Sequence, residues 1–176
     1  MSPALPPAFV SRMRAQLGEE ADAYFAAMEM PCLRGLRLNP QKPVSGAALE
    51  AVGGVEEPVP WNADLGRYLH QDSLAGADPL HEAGAYYLQE PSAMAPAELL
   101  GVEPGQRVLD LCAAPGGKSF SAAFAMGDQG AIVSCDLHEN KLKRIREGAA
   151  RLGLACVETM AADGRTFRPE WEGAFD

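Results

Sequence analysis

Apolar residues early in this chain recur three to four positions apart, whereas further along they gather into short runs set between glycines and prolines. The first spacing marks one face of a helix and the second marks buried strands. Phe9, Met13 and Leu17 predict a helix closed by Gly18. Tyr24, Phe25 and Met28 predict a second over residues 19–28, ended by Pro31. In the string Arg-Gly-Leu-Arg-Leu-Asn of residues 34–39, Leu36 and Leu38 alternate with Arg37, a strand pattern that stops at Pro40. A helix is expected over 45–52. Gly53-Gly54 breaks it, and Pro58 and Pro60 make 55–61 extended. Residues 62–80 are rich in turn formers and carry no predicted element.

From residue 81 onward the pattern is more regular. Residues 86–88 read as extended, Pro91 opens a helix over 92–100, and Gly101 ends it. Residues 108–112 form an apolar run with one acid, Asp110, set into it. A loop of small residues follows at 113–117, then a helix over 118–126 and a turn at 127–130. The next strand covers 131–135 and finishes in Asp136. Leu142, Ile145, Ala149 and Leu152 line one face of a helix over 138–152, with Lys141, Lys143, Arg144 and Arg146 outside it. Gly153 stops that helix, and a third strand runs over 155–161. A β-α-β-α-β order with short connections predicts an α/β fold with a parallel, doubly wound sheet. The expected division is an N-terminal region, 1–80, and a second region, 81–176.

Composition narrows the function classes. No apolar run approaches the ~18 residues of a membrane helix, and the opening residues lack the apolar core of a signal peptide. Cys32, Cys112, Cys135 and Cys156 are scattered with no C-x-x-C pair, which argues against zinc or a disulfide framework and for a reducing cytoplasm. A net charge of −9 is unfavourable for wholesale nucleic-acid binding. The acid excess is concentrated in residues 44–106, where Arg67 is the sole basic residue against ten acids. Any contact with RNA must therefore be local.

The candidate chemistry sits in residues 107–119, RVLDLCAAPGGKS. A strand running into a glycine-containing loop and then a helix builds a ligand site at the carboxyl end of a sheet. Two phosphate readings fail on spacing. A P-loop ending in Gly117-Lys118-Ser119 would need its first glycine where Cys112 stands, and no G-x-G-x-x-G lies between Leu111 and Gly127. Asp136, at the second strand's end, suits a ribose diol, or else caps the next helix. Asp163, beyond the third strand, belongs to an Asp-Gly turn that would serve equally as plain turn chemistry.

The string DLCAAPGGKS resembles the cofactor loop of the RNA (cytosine-5) methyltransferases, the Sun/Fmu family, and Tyr87-Leu88-Gln89-Glu90-Pro91-Ser92 is similar to the family segment beside that loop. The resemblance covers nearly the whole chain and implies a Rossmann-like, S-adenosyl-L-methionine-dependent methyltransferase fold cut after its third strand. A small α+β RNA-binding region would precede it. It implies that Cys112, Ala113, Ala114, Pro115, Gly116, Gly117 and Lys118 cradle the cofactor's amino-acid end. Asp136 would hold the ribose and Asp163 the adenine amino group. Lys118 would orient the loop or meet the cofactor carboxylate, unless it is a plain first-turn lysine. Gln89 and Ser92 would wall the pocket, and Arg34 and Arg37 would touch RNA, unless they are solvated charges on an edge strand.

The implied substrate is ribosomal RNA of the small subunit, with no membrane and no metal involved. The family's chemistry needs a cysteine thiolate that adds to the cytosine ring, and a second cysteine for release. These belong to Asp-Ala-Pro-Cys and Thr-Cys motifs beyond the third strand, and this sequence contains neither. No catalytic residue is therefore assigned, and the chain by itself is expected to be inactive. Two other readings stay open: a non-catalytic module binding RNA or S-adenosylmethionine, and a methyltransferase acting on something other than RNA.

Overall fold

The computed structural model describes residues 5–176; residues 1–4, which belong to the expected N-terminal region, lie outside it. Residues up to Cys32 form one compact unit and Leu33–Asp176 another. The first holds α1 (Pro7–Leu17), a 3-10 turn at Gly18–Glu20 and α2 (Ala21–Met28). Within it Arg14 pairs with Asp22 at 2.8 Å and lies over the Phe25 ring.

The second unit begins with a four-stranded antiparallel sheet. Its strands are β1 (Arg34–Leu38), β2 (Val55–Pro58), β3 (Gly66–Leu69) and β4 (Tyr86–Leu88), in the order β2-β3-β1-β4. Helix α3 (Gly46–Val52) starts where Ser45 Oγ accepts the Ala48 N–H, a standard N-cap. Leu36, Val52, Leu69, Ala75, Ala85 and Tyr86 bury one face of the sheet. A short helix, α4 (Pro79–Glu82), leads into β4. The expected division at 80/81 does not coincide with the sheet, because β4 pairs with β1 through Leu36↔Leu88, Arg37↔Tyr87 and Leu38↔Tyr86.

Two expectations fail in this sheet. Strand β3 was not predicted, since its four residues begin in Gly66 and include Arg67. Only the close approach of Val59, Asn62 and Met94 around Gly66 explains that glycine. Strand β1 is central rather than an edge, so Arg37 is 1% exposed instead of solvated. Its Nη2 donates to Glu98 Oε1 at 2.7 Å, while Arg34 Nη1 donates to the carbonyls of Gln71 and Ser73. Arg37 is thereby committed to an internal partner and does not present its guanidinium to RNA, whereas Arg34 is half-buried with Nη1 engaged.

The parallel sheet follows. A 3-10 turn at Pro91–Met94 runs into α5 (Ala95–Leu100), so the expected single helix is two. Then come β5 (Arg107–Asp110), α6 (Gly117–Ala125), β6 (Ala131–Asp136), α7 (Glu139–Leu152) and β7 (Val157–Ala161). Order β5-β6-β7 with parallel pairing is the Rossmann-like arrangement expected. Phe120, Met126, Ile132, Leu142, Ile145 and Leu152 fill the helical face. The Phe120 ring lies against Gly116 and Gly148, where a Cβ would collide with it. At the chain end, the Asp176 N–H donates to the Arg107 carbonyl on the free side of β5. Among the described residues, no helix is long and apolar enough to cross a membrane.

The two sheets are clamped at the end of α7. Asn39 Nδ2 donates to the carbonyls of Gly84 and Leu152, and Lys42 Nζ to those of Ala83 and Arg151. Arg151 in turn donates to the carbonyls of His81 and Tyr86. Gly84 takes a positive φ of 74°, and a side chain there would overlap the Arg151 carbonyl.

Strand β7 starts at Val157 rather than the expected 155, because the Asp128 carboxylate accepts the N–H groups of Ala155 and Cys156 at 2.8–2.9 Å. Burial opposes the charge of Asp128, but those two N–H groups prevail and hold its carboxyl below the usual range. A depressed folded-state pKa stabilises fully above the unfolded value and less as pH falls through the folded one. Asp128→Asn keeps one acceptor oxygen and should lose about 1 kcal/mol at pH 7. In urea unfolding that deficit should shrink as the solution is taken below about pH 4; a deficit constant down to pH 2 would rule out the charge as its source.

Candidate functional site

Strand β5 ends in Asp110, whose carboxylate organises the loop that follows. One oxygen accepts the Cys112 N–H at 3.3 Å, and the other accepts Ser119 Oγ at 2.9 Å. Ser119 Oγ accepts in turn from Ser134 Oγ at 2.8 Å, tying β6 to the first turn of α6. Both serines are fully buried. The Ala113 N–H reaches the Cys135 carbonyl, and the Gly116 N–H closes on the Ala113 carbonyl at 2.7 Å. The Ala114–Pro115 peptide is cis. Lys118 Nζ donates to the Cys112 carbonyl at 2.9 Å, so this lysine braces the loop.

The loop, the end of β6 and the end of β7 enclose a cleft of about 630 Å³. Of the residues singled out in the sequence, Cys112, Ala114, Asp136 and Asp163 line it. Ala113 and Gly116 are buried beneath the loop. Pro115, Gly117 and Lys118 are not in the wall of this cleft, and Lys118 lines a separate, mainly apolar hollow beside β5 and α5. Gln89 faces inward instead of walling a pocket. Its Nε2 donates to the carbonyls of Ala93 and Gly117, and its Oε1 accepts from Ser121. Ser92 is spent on Glu90 at 2.7 Å.

Asp136 is 8% exposed at the base of the cleft. Burial opposes its charge, but the His138 N–H and the Lys141 ammonium, 3.4 Å away, outweigh it and hold its carboxyl below the usual range. Asp163 is drawn down to about 2, chiefly by the Arg165 guanidinium, which engages both of its oxygens. The two cations lining the cleft are thus each matched to a carboxylate, and among the described residues that line it no cluster of unpaired basic groups awaits a phosphate. Acceptors at two strand tips beside a main-chain loop fit a nucleoside with hydroxyl and amino donors.

Sequence reasoning missed Leu137, His138, Lys141 and Arg165, which also line the cleft. The available signal was proximity, since each follows Asp136 or Asp163 by five residues or fewer.

Two family models match this chain: the N-terminal domain of 16S rRNA methyltransferase RsmF over residues 5–91, and 16S rRNA methyltransferase RsmB/F over 97–176. The chain belongs to this methyltransferase family. It is 34% identical over 98% of its length to ribosomal RNA small subunit methyltransferase F of Serratia proteamaculans, and 30% identical over 97% to the enzyme of the same name from Escherichia coli. It spans 38% of the length of each. A methyltransferase homolog from Pyrococcus horikoshii superposes with a TM-score of 0.71 at 31% identity, over 89% of this chain and 56% of that one. NSun6 from the same organism, solved with the S-adenosylmethionine analogue SFG, matches in fold with a TM-score of 0.75 at 16% identity, over 91% of this chain and 66% of that one. Members of the family use S-adenosyl-L-methionine.

The Asp110–Ser119–Ser134 chain holds the loop from beneath. Ser119→Ala removes the donor to Asp110 and the acceptor for Ser134 together, and should lower unfolding free energy by about 1–3 kcal/mol. Chemical denaturation measures this; stability equal to wild type would show that the chain does not hold the loop.

Proposed function

We propose that this chain is the cofactor-binding front part of an S-adenosylmethionine-dependent enzyme that methylates cytosine C5 in small-subunit ribosomal RNA, acting in the cytoplasm. The observation that carries this reading is the cleft of about 630 Å³ where one main-chain loop and two strand-end carboxylates converge. Main-chain groups of the loop, with Cys112 and Ala114 in the cleft wall, take the amino-acid end of the cofactor. Asp136 accepts the ribose hydroxyls, Asp163 accepts from the adenine amino group, and Lys118 keeps the loop in shape through the Cys112 carbonyl. When bound, the cofactor supplies the methyl group.

Assignment of residues 1–80 to RNA engagement is supported by the match of residues 5–91 to an RsmF N-terminal domain. With Arg37 directed inward, RNA would meet Arg34 or other side chains of that region. The specificity for cytosine C5 is supported by the loop CAAPGGKS. A thiolate nucleophile is not supplied by the residues at hand. Cys135 and Cys156 are buried, and burial raises both thiols, that of Cys156 to about 12. Cys32 and Cys112 are exposed; Cys32 follows Pro31, but in Glu-Met-Pro-Cys rather than Asp-Ala-Pro-Cys, and Cys112 follows Leu111 in the cofactor loop.

Isothermal titration with S-adenosylhomocysteine tests the cofactor reading. The chain should bind it, and Asp136→Ala should weaken binding by about tenfold or more, the worth of hydrogen bonds to a charged acceptor. Full affinity in that variant would remove Asp136 from the site. Separately, the chain incubated with radiolabelled S-adenosylmethionine and small-subunit rRNA should transfer no methyl group. Transfer at any measurable rate would mean that a nucleophile has been overlooked.

A further inference from the structure

Arg165 stands at the rim of the cleft beside Asp163 and has no part in the functions assigned above. Its Nε donates to Asp163 Oδ1 at 2.9 Å and to Oδ2 at 3.2 Å, its Nη2 to Oδ2 at 2.7 Å, and its main-chain N–H to Oδ1 at 3.0 Å. An ionised carboxylate offers about four lone-pair directions, two on each oxygen. Nε carries one hydrogen, shared between the oxygens and nearer Oδ1, so Oδ1 is filled by it and the main-chain N–H, whereas Oδ2 takes Nη2 and only the longer branch of the Nε contact. One acceptor direction is therefore left, on Oδ2.

The Arg165 side chain is 85% exposed and that of Asp163 31%, so this pair adds little to folding stability. What the fork does is fix the plane of the carboxylate, because a guanidinium meets a carboxylate through two parallel bonds in one geometry. Both residues line the cleft.

We propose that Arg165 is a positioning residue that makes the cleft selective for adenine, by holding Asp163 so that a single acceptor direction is left for the ligand. The inference rests on the reading of Asp163 as the adenine acceptor. An exocyclic amino group brings the one N–H that this direction can take. A carbonyl at the same ring position, as in hypoxanthine, brings only lone pairs against a fixed carboxylate. The selectivity thus comes from a purine donor matched to a single fixed acceptor, with the loop and Asp136 blind to that position.

The test compares S-adenosylhomocysteine with S-inosylhomocysteine by isothermal titration on the chain and on Arg165→Met, Arg165→Lys, Asp163→Asn and the Arg165→Met/Asp163→Asn pair. Wild type should prefer the adenosyl ligand by about tenfold or more. Arg165→Met should lose that preference through the adenosyl ligand alone, with its melting temperature unchanged. Lysine, a point charge that cannot fork, should restore only part of it. Adding Arg165→Met to Asp163→Asn should change nothing further. Equal loss of both ligands in Arg165→Met, or an undiminished preference, overturns the proposal while the cofactor site stands. A wild-type chain that takes up neither ligand overturns the cofactor reading and this inference with it.

Discussion

The carboxylate of Asp110 closes the end of β5 while reaching two other elements, the Cys112 N–H just beyond the strand and the Ser119 hydroxyl in the first turn of α6. Ser134 extends the chain of bonds into the neighbouring strand. A loop of alanines, proline and glycines has almost no side-chain atoms with which to hold its own shape. It is held from below instead, by a half-buried acid and two buried hydroxyls, and from the side by Lys118. The cleft inherits its form from that arrangement. The parallel pairing Asp136↔Ala161 brings the ends of β6 and β7 level, while β5 stops two residues short at Asp110↔Ser134, so that the acids at the ends of β6 and β7 reach the space into which the loop runs.

The second constraint is the seam between the sheets. Arg37 is almost wholly buried with one ion-pair partner, Glu98, which also accepts from Asn62. Its Nε and Nη1 have no hydrogen-bond partner. Burial works against the guanidinium charge and Glu98 supports it. Such a pair contributes little net stability when intact, but loss of Glu98 leaves the buried guanidinium stranded, at a cost of about 3–5 kcal/mol. Together with Asn39, Lys42 and Arg151 at the end of α7, it joins the antiparallel sheet to the parallel one through polar groups whose geometry admits few alternatives. The seam thereby couples residues 33–88 to the frame that carries the cleft.

Electrostatics at the cleft are local and do not follow the overall charge of −9. Two carboxylates line one cleft, and each has its own cation: Lys141 for Asp136 and Arg165 for Asp163. The pairing keeps both acids ionised as acceptors, and it leaves no spare positive charge of the kind that phosphate ligands require. A neutral nucleoside moiety is the ligand chemistry this balance suits.

Much of this was written in local patterns. The apolar face of α7, its stop at Gly153, the cap at Ser45 and the succession of strand, glycine loop and helix follow from spacing and from residues with restricted backbone preferences, which act within a few positions. So did the placement of Asp136 and Asp163 after successive strands. Contacts distant in sequence decided the rest. Strand β3 exists because β1 and β2 flank it, a pairing that its four residues do not announce. Arg37 alternates outward with respect to Leu36 and Leu38, and outward would mean solvent had α5 not packed there and brought Glu98 to it. Gln89 reads as a pocket residue until Gly117 and Ser121 take up its amide. In each case the chain encodes which groups are polar, but burial and partner are properties of the assembled layers.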